Sequence, residues 1–175
     1  MKRNYALLLL LLLTAITVFI SCKKSIDHKN DYDRSHDSWM SFKKSSNNSY
    51  SYKVSSGSWT GTSSETVITV KDGKVTNRSY VYKIPGEKPV SQPIVKEEWQ
   101  EEQVKLNTHS AGAATLTLDD VYQKAKTEWL LKRKDAETYF EANNNGMIST
   151  CGYVNNGCQD DCFNGIKIVS ILKSN

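Results

Sequence analysis

The sequence has few of the residues and motifs on which common catalytic sites depend. It has three histidines, and it carries neither the HExxH pattern of a zinc protease nor a phosphate-binding Walker loop. The segment Gly57-Ser-Trp-Thr-Gly61 is not a nucleophile elbow, because Trp59 takes the position that the nucleophilic serine needs. These absences argue against the enzyme classes that depend on those signatures.

The sequence also lacks a large excess of one charge and any internal repeat. The chain has 23 basic and 19 acidic side chains, and loss of Lys2 and Arg3 with a leader would leave 21 against 19, a net charge of +2. This excess is too small to indicate a nucleic-acid partner. No repeat marks a solenoid or propeller. All three prolines lie within residues 85–93, which we expect to form a loop.

The first 22 residues have the order of a secretory signal peptide. Lys2 and Arg3 precede an apolar run from Ala6 to Ile20, and the small residue Ser21 follows. The segment Phe19-Ile20-Ser21-Cys22 resembles the lipobox of bacterial lipoproteins. That resemblance implies cleavage before Cys22, diacylation of its thiol and a further acyl chain on its amino group, with palmitate among the fatty acids.

Two alternatives to the lipoprotein hypothesis are plain secretion and an uncleaved membrane anchor. The apolar run is shorter than the roughly 20 residues of a spanning helix, which favours cleavage. We therefore expect a signal peptide at 1–21, a lipidated cysteine with a flexible tether at 22–34, and one domain at 35–175. Lys23 and Lys24 stand where some surface-exposed lipoproteins carry acidic residues, which favours the periplasmic face of the outer membrane.

The pattern of the remaining chain predicts an α+β fold. We expect an antiparallel sheet of about five or six strands, one long helix across a face and a shorter N-terminal helix. The stripe Tyr32, His36, Trp39 and Phe42 predicts the shorter helix. The long helix is predicted over Thr117–Lys134, because Thr117-Leu-Asp-Asp120 has the form of a capping box and five apolar residues follow at helical spacing. These are Leu118, Val121, Tyr122, Ala125 and Trp129.

Several strands are predicted by alternation and turn residues. Asp72-Gly73 is a favoured two-residue hairpin turn, which would place Val70 opposite Val75. Residues 95–106 are ambiguous between helix and strand; we favour an edge strand whose glutamates protect the edge. In Ile166–Leu172, simple alternation points Ile166 and Ile168 to one face and Val169 and Ile171 to the other, which predicts a central strand covered on both sides.

The loop from Cys151 to Cys162 has the most distinctive local chemistry. With Cys22 assigned to lipid, Cys151, Cys158 and Cys162 remain for one disulfide and one thiol. If Asn156-Gly157 formed a two-residue turn, Cys151 would lie opposite Cys162, so we favour that pairing over the two others.

Metal binding is the alternative role of this loop. Three cysteines with Asp160 or Asp161 would supply four zinc ligands, but the spacing lacks the CxxC knuckle of structural zinc sites. Calcium could use the same aspartates, yet the spaced Asp-x-Asp pattern is absent. We therefore predict no cofactor, and keep Asp160 and Asp161 as a possible ligand or metal site.

Six aromatic residues in the first half of the sheet allow two interpretations. Either they pack beneath the helices, or they form an exposed face that binds a partner, because Tyr and Trp anchor interfaces well. They are Tyr50, Tyr52, Trp59, Tyr80, Tyr82 and Trp99.

Short motifs across residues 39–172 resemble a family of uncharacterised small bacterial secreted proteins and lipoproteins. They are Tyr50-Ser-Tyr52, Val70-Lys-Asp-Gly-Lys-Val75, Leu116-Thr-Leu-Asp-Asp-Val-Tyr122, Cys151-Gly-Tyr153 and Asp160-Asp-Cys-Phe-Asn-Gly165. The resemblance implies a secreted sheet-and-helix domain, similar in architecture to periplasmic inhibitor and PepSY-like domains. It implies no reaction.

These observations favour a lipid-anchored, non-enzymatic binding module of the cell envelope. The expected partners are the membrane, through the N-terminal lipid, and an envelope protein; the domain is expected to be monomeric. The second hypothesis is an inhibitor-like or chaperone-like domain that acts on an envelope enzyme. The third is a hydrolase-type enzyme that uses Asp160, Asp161 or a histidine.

We predict that Cys22→Ala abolishes acyl labelling and leaves the precursor unprocessed, because the modified sulfur is lost. Metabolic labelling with a fatty-acid analogue, followed by gel analysis of the precursor, measures both effects. Normal labelling of the variant would refute the assignment of Cys22.

Overall fold

The computed structural model describes residues 25–87 and 92–174, which form one sheet with two helices packed on one face. The leader and Cys22 lie outside this range. The helices are α1 (Lys29–Ser45) and α2 (Leu118–Lys124), and α2 continues as a π-helical turn over Ala125–Trp129. The strands are β1 (Tyr50–Gly57), β2 (Ser63–Lys71), β3 (Lys74–Ile84), β4 (Ile94–Glu102), β5 (Ala136–Glu141), β6 (Thr150–Asn155) and β7 (Asn164–Lys173).

The strands follow the order β4-β3-β2-β1-β7-β6-β5, and every neighbouring pair is antiparallel. The prediction of five or six strands with one long helix is therefore wrong: the described residues form seven strands and two short helices. The N-terminal helix, with 17 residues, is the longer of the two.

The predicted helix Thr117–Lys134 ends early because its last turn loosens and the chain is then captured by another segment. The Leu130 N–H donates to the Ala125 carbonyl at 3.0 Å, a π-helical bond. Beyond it, Asp27 N–H donates to the Leu130 carbonyl at 2.8 Å, and Lys132 N–H donates to the Ser25 carbonyl at 3.1 Å. This pairing takes the chain out of the helix before Lys134.

The same pairing corrects the predicted tether. Residues 22–34 were expected to be a flexible spacer, but α1 begins at Lys29 and Tyr32 is buried in the core. Ile26 forms a bridge with Leu131 and packs against the core. The folded domain therefore includes Ser25 onward, because these residues find backbone and apolar partners that local composition does not show.

Two local predictions are confirmed. Asp72 and Gly73 have φ values of 48° and 75°, the left-handed conformations of a type I′ turn, and Val70 pairs with Val75. At the start of α2, the Thr117 side chain accepts from the Asp120 N–H while the Asp120 carboxylate accepts from the Thr117 N–H. Both features depend only on neighbouring residues.

The core lies between the helices and β1, β2, β6 and β7. All five predicted residues of the α2 stripe are buried in it, together with Tyr32 and Trp39 of α1. Trp39 stacks on Tyr122 with a centroid distance of 6.3 Å and meets Tyr50 edge-on at 5.2 Å. An aromatic layer therefore joins both helices to the sheet.

A β-bulge in β7 overturns the predicted two-faced pattern of that strand. The register with β1 shifts between Lys53 and Val54, and Ile166, Ile168 and Ile171 all enter the same core. Val169 and Leu172 are 56% and 62% exposed. The extra residue at the bulge returns Ile171 to the core face, so β7 is covered on one side only.

The predicted Cys151–Cys162 disulfide is not the one formed, because the connection from β6 to β7 is a loop and not a two-residue turn. Cys151 pairs across the sheet with Ile166, and it is a buried free thiol. The disulfide joins Cys158 and Cys162, whose Cα atoms are 6.2 Å apart. Within the residues described, no helix is long and apolar enough to cross a membrane.

We predict that mass mapping under non-reducing conditions links Cys158 to Cys162, and that Cys151 resists iodoacetamide at pH 8 until the protein is denatured. Burial raises the pKa of the Cys151 thiol to about 12, so almost no reactive thiolate is present in the folded chain. Rapid native alkylation of Cys151, or a linkage that includes it, would contradict this assignment.

Candidate functional site

An open cleft of about 850 Å³ lies where the sheet extends past the helices. Its floor is formed by the end of β1, the start of β2 and the end of β3, together with the end of β6 and the start of β7. One wall is the loop at residues 112–116, and the other is the disulfide loop at 158–163. Lys124 and Trp129 close the end nearest α2.

The floor is rich in hydroxyl groups. Ser56, Ser64 and Tyr82 lie side by side on β1, β2 and β3, two residues beyond the row of Val54, Thr66 and Tyr80. They share its face because alternate residues of a strand point the same way. Among the described residues, no side-chain hydrogen bond ties down Ser55, Ser56, Ser63 or Ser64, so these groups are available to a ligand.

The loop wall is held by a buried ion pair. Arg78 on β3 and Glu101 on β4 are paired in the sheet, and their side chains are 4% and 1% exposed. The Arg78 Nε donates to Glu101 at 2.9 Å, while its two terminal nitrogens donate to the carbonyls of Ala113 and His109 at 3.2 and 2.7 Å. The guanidinium therefore ties the loop to the sheet at two points.

Glu101 binds the other side of the same loop. Its carboxylate accepts from the backbone N–H groups of Asn107 and His109 at 2.8 and 2.6 Å, and from the Thr108 hydroxyl at 3.0 Å. The hydrogen bond from Arg78, together with these N–H donors, holds the pKa of Glu101 far below its usual range despite burial. The described hydrogen bonds to this carboxylate thus come from Arg78 and from the loop.

Aromatic stacking completes this wall. Trp99 stacks with Tyr80 and with His109, at centroid distances of 5.1 and 4.3 Å, and the Arg78 guanidinium lies 4.7 Å from its ring centre. Gly112, with a φ of +85°, passes so close to the sheet that a Cβ would lie 3.2 Å from both Thr66 and Tyr80. A larger residue would push the wall away from the floor.

The disulfide loop forms the opposite wall and contains the predicted aspartates. Cys158, Asp160, Asp161 and Cys162 all line the cleft. The Asp160 carbonyl lies 2.6 Å from the Cys162 sulfur, and both aspartate side chains are exposed. Phe163 packs against Gly152, where a Cβ would lie 2.5 Å from the phenyl ring, so the base of the loop fits closely to β6.

The structure separates the predicted site residues. Asp160, Asp161 and Cys162 line the cleft, whereas Cys151 lies in the core. None of the three histidines lines the cleft: His28 precedes α1, His36 lies on α1, and His109 stacks on Trp99 in the loop. Within the described ranges, no group of three or more His, Cys, Asp or Glu side chains is placed to hold a metal ion.

The six aromatic residues do not form one face. Tyr50 and Tyr52 belong to the core, Tyr80 and Trp99 to the stacked wall, and Tyr82 to the cleft, while Trp59 is 81% exposed at the β1–β2 turn. Sequence reasoning missed Arg78 and treated Glu101 as a solvated edge charge. The alternation of β4 contains one signal of the burial of Glu101: this residue lies on the same face of the strand as Trp99, and a fully exposed edge strand would not need a tryptophan there.

Comparison of the chain with protein-family models, with curated proteins and with solved structures finds no match. The resemblance of the short motifs to a family of secreted proteins and lipoproteins stays a prediction from the sequence.

We predict that Glu101→Gln lowers the melting temperature at pH 7 by about 10 °C, because a neutral amide leaves Arg78 unpaired and meets several donors with one acceptor. Since the pKa of Glu101 is lowered on folding, its stabilisation is complete above the unfolded value of 4.5 and is lost as the pH falls below it. The gap between the two proteins should therefore be constant above about pH 5 and narrow below pH 4.5.

Thermal unfolding followed by circular dichroism across this pH range measures the effect. Glu98→Gln is the matched control, because Glu98 is exposed on the same strand. A Glu101→Gln protein that melts with the native chain at pH 7 would contradict the role of the ion pair.

Proposed function

We propose that this chain is a lipid-anchored protein of the cell envelope that binds a partner in the cleft without catalysing a reaction. The anchor is Cys22 on the periplasmic face of the outer membrane, and the domain from Ser25 onward presents the cleft to its neighbours. The observation that carries the binding role is the cleft itself: about 850 Å³ of open space between two braced walls.

The chemistry of the lining supports binding over turnover. Serine and tyrosine hydroxyls, two carboxylates and two lysines surround the space, with Trp129 and Ile166 at its inner end. Binding sites combine such apolar surface with a few placed polar groups. A general acid or base is held in place by its neighbours, whereas the Asp160 and Asp161 side chains are exposed and accept no hydrogen bond from another described side chain.

The walls are rigid in the way that a binding site requires. The Arg78–Glu101 pair fixes the loop at 106–116 from beneath, and the disulfide closes the loop at 158–162. Sites on such supported loops lose less conformational entropy when a partner binds. A tether at Cys22 would confine this site to the membrane surface, where its partners would be other envelope components.

We expect a photo-crosslinker in the cleft to capture an envelope component. The full chain, expressed with its leader in the native envelope, carries p-benzoylphenylalanine at position 82, where Tyr82 lines the cleft. The matched control places it at position 81, because Val81 is on the same strand and points to the opposite face. Illumination of intact membranes should give an adduct from position 82 only.

Adducts from neither position, or equal adducts from both, would contradict the proposal that the cleft is the binding site. Recovery of the unmodified protein from the soluble fraction, with its leader attached, would sink the proposed anchor independently.

A further inference from the structure

The sheet is split between β1 and β7 at the floor of the cleft. The two strands pair from Tyr50–Lys173 to Val54–Ile168 and no further. Yet β1 continues to Gly57, and β7 has already begun at Asn164. Over Asn164–Lys167, β7 pairs with β6 on its other side. Two strand edges therefore diverge from the last shared pair, and both line the cleft.

The hydrogen bonds at the ends of these strands show which backbone groups face the split. Ser58 N–H donates to the Thr62 carbonyl at 3.0 Å, so the even-numbered residues of β1 are directed to β2, and Gly57 is directed away from it. On the other strand, Gly165 packs closely on β6, because a Cβ there would lie 2.2 Å from the Cys151 carbonyl oxygen. Gly57 thus directs an N–H and a C=O into the split.

Gly57 has no partner in β7. The β1–β7 ladder ends at Val54, three residues before this glycine. An unpaired strand edge is a template for another extended chain.

The surroundings of the split suit the side chains of an added strand. Trp129, Val154 and Ile166 form an apolar inner wall, and Lys124, Lys167, Asp160 and Asp161 lie around the opening. Both signs of charge are present there, so the rim selects no strongly charged partner. The backbone donor and acceptor of the β1 edge are the most specific groups that the site offers.

We propose that the ligand of the cleft is an extended segment of polypeptide, which adds a strand in the split between β1 and β7. This inference rests on the proposed binding function and names its ligand class. A polypeptide backbone carries N–H and C=O groups at the spacing of a strand edge, and strand addition derives its affinity from those groups. Alternate side chains of the segment would contact the apolar inner wall.

The test uses a library of fluorescein-labelled heptapeptides and the full chain in detergent. We expect at least one peptide to bind, and Gly57→Pro to weaken it about tenfold, since the variant removes the N–H on the split edge. That N–H makes no bond to β2, so the β1–β2 ladder is kept. Gly57→Ala is the comparison: it retains the N–H, its Cβ would lie 3.5 Å from the Thr62 carbonyl, and it should weaken binding less than Gly57→Pro does.

A second measurement does not depend on the folding of a variant. N-methylation of the interior amides of the selected peptide removes its donors and should weaken binding to the native chain more than tenfold. Unchanged binding of the methylated peptide, equal effects of Gly57→Pro and Gly57→Ala in folded proteins, or no peptide binding at 1 mM would each overturn strand addition.

Failure of this inference and failure of the proposed function give different results. If position 82 crosslinks to a saccharide or lipid and no peptide binds, the cleft is a binding site for another class of ligand and only strand addition is lost. If position 82 captures nothing, the binding function itself is lost.

Discussion

The rings of Tyr50, Tyr52 and Tyr122 can lie in the core because each phenol oxygen has a backbone partner there. Tyr50 accepts from the Leu118 N–H at 2.8 Å, Tyr52 donates to the Leu116 carbonyl at 2.6 Å, and Tyr122 bonds to Ser35 and the Ile148 N–H. A buried hydroxyl without a partner would cost free energy, so these bonds fix where α2 begins on the sheet. Burial raises the pKa of Tyr122 to about 12, which keeps the phenol in its donating form.

The cleft follows from this placement. Since α2 begins above Tyr50 and is short, it leaves the far ends of β1 to β3 uncovered, and the loop before it must cross the sheet to reach Leu118. Arg78 and Glu101 are buried beneath this crossing. They pair with each other and bind the loop backbone, so neither charge is left without a partner. The ion pair therefore fixes one wall of the cleft. Beside the floor, the bulge in β7 bends this strand where its pairing with β1 ends.

The accuracy of sequence reasoning here followed the distance over which each interaction acts. The Asp72-Gly73 turn and the Thr117 capping box are decided by adjacent residues, and the α2 stripe by its own spacing, so all three were predictable. The end of α2 was not, because it depends on residues 25–27, more than a hundred positions away. Neither the bulge at Val169 nor the Arg78–Glu101 pair leaves a local signal: both arise when strands distant in sequence are aligned. The cysteine pairing failed because it assumed a tight turn where the chain forms a loop.

The position of β7 constrains how the chain can fold as it is synthesised. The meander β1–β4 is local, and a nascent chain can form it once Glu102 has emerged, but β5 and β6 join that sheet through β7 alone. The last described strand, β7, thus joins the β1–β4 meander to β5 and β6. Its partner β1 lies more than a hundred residues upstream. Such late, distant closure slows folding and leaves the edge of β1 exposed in the meantime. A nascent chain that has not yet formed β7 therefore presents an unpaired strand edge of the kind through which incomplete chains associate.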